Sequence, residues 1–183
     1  MRARILPLRK LETVYLRPGE MYFGTDPARV VTVLGSCISI VMYHRPTSTS
    51  SMSHALMPER SCSRKRAVAG DAFVFVDSSI AWMLEQFSRM GIDKKDLEVK
   101  IFGGSDMFQD ARKGNEALAV GKKNVMTALR VLQQHGISPT AWNVGGTKGR
   151  KVVFYTDTGD VFTKFVNSRN DVIMGNRKTG KGS

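Results

Sequence analysis

An α+β fold, a mostly antiparallel sheet with two main helices packed on one face, is what this sequence predicts, and three observations carry it. Short β-branched runs bounded by glycine, proline and small polar residues outnumber every other pattern. Two longer segments carry apolar residues at helical spacing. Most links between the strand-like runs are too short for helical crossovers and read as hairpins, which favours antiparallel pairing.

Residues 11–21 mix Val14, Tyr15 and Leu16 with Pro18-Gly19 and lead on to Phe23, which predicts an extended piece, a turn and a second extended piece. The runs Val30-Val31-Thr32-Val33-Leu34 and Ile38-Ser39-Ile40-Val41-Met42-Tyr43 surround Gly35-Ser36-Cys37, a strand, a tight turn and a strand. Residues 44–53, rich in serine and threonine, predict a polar loop. A short apolar stretch from His54 to Met57 is stopped by Pro58, and residues 59–70 form a second, basic loop. Ile80, Met83, Leu84, Phe87 and Met90 make a helical stripe, with Asp77 as candidate N-cap and Gly91 as the stop. Residues 97–102 read as a strand ending in Gly103-Gly104, and a second helix from about Gly121 to His135 places Val125, Ala128, Leu129 and Leu132 on one face. Ala141-Trp142-Asn143-Val144 runs into the turn Gly145-Gly146-Thr147-Lys148-Gly149. Residues 151–155 and 161–166 then flank Asp157-Thr158-Gly159-Asp160, a hairpin signal.

The 183 residues suit one domain, drawn at 11–168 between a basic N-terminal extension, 1–10, and a basic tail, 169–183, expected to be disordered. No apolar run approaches a membrane span and the start has no signal-peptide core, so a cytoplasmic protein without membrane insertion, and a monomer, are expected. Two cysteines, Cys37 and Cys62, are too few for a disulfide framework or a four-cysteine zinc site. The 28 Lys and Arg against 16 Asp and Glu give a net charge of +12, which raises the question of nucleic acid. Much of the excess sits in the two ends and in the run Arg60, Arg64, Lys65, Arg66, without the interleaved aromatic platform of a nucleic-acid surface, so no specific nucleic-acid partner is expected.

Cys37 is the most suggestive position. A thiol on a glycine turn is accessible, and turn amides from Gly35 and Ser36 can both lower its pKa and stabilise an oxyanion. From its position alone a buried structural thiol explains it as well. His54 heads the next segment and comes beside Cys37 if the intervening chain folds back, which would supply the base a cysteine nucleophile needs. His44 begins the predicted loop, His135 ends a helix, and Cys62 lies in the basic loop with nothing site-like around it. Neither Gly103-Gly104-Ser105 nor the turn at 145–149 has the spacing or helical context of a phosphate loop. No metal motif and no cofactor motif is present, and neither group is expected.

In order along the chain, Thr32-Val33-Leu34-Gly35-Ser36-Cys37-Ile38-Ser39-Ile40, Ser53-His54-Ala55-Leu56-Met57-Pro58, Lys100-Ile101-Phe102-Gly103-Gly104, Val120-Gly121-Lys122-Lys123-Asn124 and Gly145-Gly146-Thr147-Lys148-Gly149-Arg150-Lys151 resemble CheD, a family of bacterial chemoreceptor glutamine deamidases. The resemblance implies a cysteine hydrolase that converts glutamine side chains on chemoreceptor cytoplasmic helices to glutamate. Cys37 would be its nucleophile, His54 its base and Thr32 the third catalytic residue. Gly35 and Ser36 would supply oxyanion donors, with Phe102, Gly103 and Gly104 flanking the site. Thr32 and Cys37 are five residues apart, an odd spacing that within one strand would put them on opposite faces. The implied fold is a layered α/β/β sandwich similar to the catalytic domain of cytotoxic necrotizing factor toxins. Binding of the phosphatase CheC is a further implication. The alternatives are another cysteine acyl-transfer enzyme, and a weakly active or non-enzymatic adaptor that binds chemoreceptors or CheC.

Overall fold

A computed structural model of the chain describes residues 11–60, 73–106 and 120–166. The predicted basic loop from residue 61 on, with Cys62, and both predicted basic ends lie outside these residues. Among the described residues there are nine strands and two α-helices: β1 (Glu12–Tyr15), β2 (Met21–Gly24), β3 (Ala28–Leu34), β4 (Ile38–His44), β5 (Thr49–Ser53), α1 (Val76–Arg89), β6 (Glu98–Gly103), α2 (Val120–Gln134), β7 (Ala141–Val144), β8 (Arg150–Tyr155) and β9 (Val161–Phe165). The strands make two sheets, ordered β1-β3-β8-β9 and β2-β5-β4-β6-β7. Each is mixed: β1 runs parallel to β3 and β6 parallel to β7, while the other five pairings are antiparallel.

Strand β4 explains why there are three layers. Its apolar residues do not alternate with polar ones, and it is buried on both faces. Ile38, Ile40 and Met42 pack with Val76, Ile80, Met83 and Phe87 of α1 and with Ala128 and Leu132 of α2. Val41 and Tyr43 point the other way, into Val30 and Leu34 of β3 and Val152 and Phe154 of β8. The order is therefore helices, five-stranded sheet, four-stranded sheet. The consecutive strands β3 and β4 do not form a hairpin, because the turn 35–37 carries the chain from one sheet to the other.

Three expectations need correction. Residues 44–53 are not a polar loop: after a single helical turn, Arg45–Thr47, they form β5, an interior strand buried at every residue. Its serines are small enough to fit and bond to the strands beside them. Ser50 Oγ donates to Gly24 O and Ser51 Oγ to Tyr22 O, and Ser53 Oγ accepts from Ile40 N. Asp77 is not the N-cap of α1; Phe75 takes that place, and Asp77 sits in the first turn, where it accepts from Ser78 N and suits the helix dipole. On α2 Leu129 is exposed, and the buried stripe runs through Gly121, Asn124, Ala128, Val131 and Leu132 instead. Two of those positions, a glycine and an asparagine, carry no apolar side chain for a periodicity count to find.

Candidate active site

The turn between sheets brings together residues the sequence places far apart. Val41 faces Met52 and Ile38 bridges Ala55, so the same register sets Ser39 opposite His54 and Cys37 opposite Leu56. Cys37 and His54 therefore flank the Ile38–Ala55 bridge as diagonal positions on the inner face of the five-stranded sheet. Thr32 comes from the other sheet. It lies in register with the inward residues of β3, and its odd spacing from Cys37 does not matter because the strands belong to different layers. Its Oγ1 meets His54 Nδ1 at 2.7 Å and donates to the Leu16 carbonyl at 2.9 Å.

Those two contacts assign the imidazole tautomer. A hydroxyl has one proton to give. With that proton on Leu16 O, Thr32 Oγ1 must accept from Nδ1–H, and Nε2 carries the lone pair. The second approach of Nδ1 to the same carbonyl, 3.5 Å, agrees. His54 is 3% exposed, and Nε2 is buried with no hydrogen-bond partner among the described residues. The Oγ of Ser39, opposite His54 in the same row, is also buried without one.

Cys37 is half-buried and reduced, and no hydrogen bond joins it to His54. Around it the backbone is tightly held. Gly104 N donates to Cys37 O at 2.7 Å and Ser105 N to Gly35 O at 2.8 Å. Gly103 has φ +106, and a Cβ there would collide with the Cys37 carbonyl, so only glycine allows this approach. The amide of Ser36 has no partner among the described residues. Phe102 faces Ser39 across the ladder and packs in the same cluster as Cys37. A cavity of about 230 Å³ is lined by Gly104, Asp106, Lys122, Val125, Val144, Gly145 and Gly146; Gly104 is its link to the turn, through its bond to the Cys37 carbonyl. A larger concavity, about 650 Å³, lies between the far ends of the helices around Leu84, Ser88 and His135 and holds none of these groups. Among the described residues, no group of three or more His, Cys, Asp and Glu side chains is placed to hold a metal ion.

A family model described as CheD, CheD chemotactic sensory transduction, matches residues 56–165. The chain is 46% identical over 160 residues to a Geobacter sulfurreducens protein named "Probable chemoreceptor glutamine deamidase CheD 2", covering 86% of this chain and 92% of that one. The chain belongs to the CheD family. It is similar at 35% over 156 residues to a Maridesulfovibrio salexigens protein named "Probable chemoreceptor glutamine deamidase CheD", and at 38% over 128 residues to one of the same name from Pyrococcus horikoshii. These cover 84% and 70% of this chain, and 92% and 76% of the relatives.

In this CheD chain burial controls the electrostatics of the site. Burial pushes the Cys37 thiol up, against the opposing pull of its own amide, so the lowered thiol expected of a glycine turn is not what forms. Burial likewise pulls His54 down, against the Leu16 carbonyl and the charge of Glu20. The two rest at neutral pH as thiol and imidazole. Folding stability depends on this. Below the ordinary imidazole value of 6.5 the unfolded chain takes up a proton that folded His54 refuses until lower pH, so stability is full above that value and falls as pH drops towards the lowered one. Denaturant midpoints measured downward from neutral pH are expected to fall less steeply in His54→Gln than in the parent chain.

Sequence reasoning missed four supports of this CheD site. The Leu16 carbonyl anchors Thr32, and no sequence signal marks a carbonyl. Ser105 and Arg150 act together as the second and third. Arg150 is 1% exposed, lies over the Phe165 ring and has no carboxylate partner among the described residues; it donates instead to Asn143, Gly145 O and Ser105 Oγ. Because Ser105 also holds Gly35, this buried cation braces the Gly35-Ser36-Cys37 turn through one intermediate residue. Asn124 completes the four residues, and its only trace in the sequence is its place in the run 120–124.

Proposed function

We propose that this chain is a cysteine-dependent deamidase that hydrolyses glutamine side chains on the cytoplasmic helices of chemoreceptors to glutamate and ammonia. The observation that carries the reading is the pair on the inner sheet face: a half-buried thiol diagonal to an imidazole whose Nδ1 is committed to Thr32 and whose bare Nε2 has no other partner. The family relationship supplies the substrate class. The two helices and two mixed sheets are consistent with the layered sandwich that the family resemblance implies.

In the reading proposed, Nε2 takes the Cys37 proton as Sγ attacks the carboxamide carbon. The S–C bond forms and the carbonyl electrons move to oxygen, for which the unpaired Ser36 amide is the candidate donor. Collapse of the adduct breaks the C–N bond while the imidazolium returns its proton to nitrogen, and ammonia leaves. Water then attacks the thioester with Nε2 as base, giving glutamate and restoring the thiol. A resting thiol and imidazole fit this scheme, since the proton moves only when substrate arrives. Thr32 keeps Nε2 as the acceptor throughout.

The test is the mass of a receptor cytoplasmic fragment after incubation with this protein and with Cys37→Ala, with converted glutamines mapped by peptide. Amide-to-acid conversion by the parent chain alone supports the deamidase. Binding without conversion by either replaces it with the adaptor reading.

A further inference from the structure

Helix α2 begins beside the site, and one side chain it buries there is polar. Asn124 is 0% exposed, and its Nδ2 donates to the carbonyls of Ser36 and Leu56, 2.9 Å each. Ser36 immediately precedes Cys37, and Leu56 is two residues past His54 and opposite Cys37 in register.

The ladder shows why a side chain is needed. Ile38 and Ala55 exchange both backbone hydrogen bonds, each 2.9 Å. In an antiparallel ladder the next such pair lies two residues further along, at Ser36 and Met57. That pair does not form: Met57 N donates to Val74 O at 3.0 Å and Met57 O accepts from Val76 N at 2.9 Å. The strands therefore part at Cys37, which leaves the Ser36 amide unpaired and strips its carbonyl of the partner Met57 would have been. Asn124 replaces that partner from the helix layer and takes the Leu56 carbonyl with its second proton. The helix is held close enough to do this by Gly121, one turn earlier, where a Cβ would lie 2.6 Å from the carbonyl oxygens of Gly104 and Ser105. A leucine at 124 would suit the surrounding core but would leave both carbonyls without a donor.

We propose that Asn124 is a positioning residue for the nucleophile: its two N–H groups hold the Cys37 turn and the segment after His54 at a fixed separation where the backbone ladder has opened, keeping thiol and imidazole in register while the Ser36 amide stays free. The inference rests on the deamidase reading for its catalytic consequence. Its test is chosen to stand apart from that reading.

Asn124→Ala is compared with Ala128→Gly, a control on the same buried face of α2, in three measurements: thermal midpoint, kcat and KM on the receptor fragment, and the pH profile of iodoacetamide alkylation at Cys37 resolved by peptide mass. Both variants are expected to melt earlier. Only Asn124→Ala is expected to lose about 10²-fold in kcat with KM little changed, and only it should shift the alkylation profile, which needs no substrate. Asn124→Leu, which suits the surrounding core but has no donor, serves if the alanine variant does not fold. An Asn124 variant with the parent kcat and alkylation profile overturns the proposal, as does failure of both variants to fold, which makes the residue structural. If the parent chain converts no glutamine but the alkylation profile still separates Asn124→Ala from the control, the deamidase reading fails and the positioning role stands.

Discussion

Cys37→Ala is expected to lower kcat on receptor glutamines by more than about 10⁴-fold, the scale on which removing a nucleophile acts. Its thermal midpoint should move little, since a half-buried thiol gives up only a small apolar volume at the edge of the inter-sheet core. The contrast between a large kinetic and a small stability effect separates a nucleophile from a packing cysteine. A competing nucleophile is present on the same face: Ser39 Oγ lies opposite His54 and is likewise unbonded. If it were the attacking group, Ser39→Ala would abolish turnover and Cys37→Ala would not. The glycine turn, the tethered carbonyls on either side of Cys37 and the free Ser36 amide all favour the thiol. A mass-trapped acyl-enzyme on the Cys37 peptide, absent in Cys37→Ala, would close the question.

His54→Ala is expected to cost about 10²- to 10⁴-fold in kcat through loss of the base. Thr32→Val should act through His54 and more weakly. It preserves shape but deprives Nδ1–H of its close acceptor, leaving only the 3.5 Å approach to Leu16 O. A buried donor left without a good partner costs about 1–3 kcal/mol, or roughly ten- to a hundredfold if it falls on the transition state. The pH profiles distinguish the two roles. The acidic limb of the parent chain should lie below the ordinary imidazole value, because burial holds His54 down. Removing Thr32 should move that limb, whereas removing His54 should abolish it. An unchanged limb in Thr32→Val would mean that the hydroxyl only packs.

What the sequence made legible was local or marked by residue type. The hairpin β8–β9 was readable because Gly159, at φ +81, fixes its turn, and β3 and β4 were readable from their β-branched runs. That Cys37 and His54 come near each other if the chain between them folds back was legible. How it folds back was not, since β5 is built from Thr49, Ser50, Ser51, Met52 and Ser53, residue types that signal a loop until neighbouring strands offer their hydroxyls partners. The passage of β3 and β4 into different sheets was equally hidden. A glycine turn between two β-branched runs looks the same whether it reverses the chain within a sheet or lifts it into the next one. The raised thiol followed from burial, which no residue near Cys37 announces.

Thr32 sits in a sheet that the N-terminal part of the chain cannot finish. Strand β3 pairs along Arg29 to Leu34 with β8, so Thr32 faces Val152, a residue made 120 positions later. A ribosome that has released Cys37 and His54 has therefore not yet released the strand that seats the third member of the group. The thiol and imidazole emerge early and wait, without their orienting hydroxyl locked in place, until the last fifth of the chain arrives to close the second sheet. In the deamidase proposed, hydrolytic competence would thus be coupled to completion of synthesis, and truncated products of translation would carry Cys37 and His54 without the strand that seats Thr32.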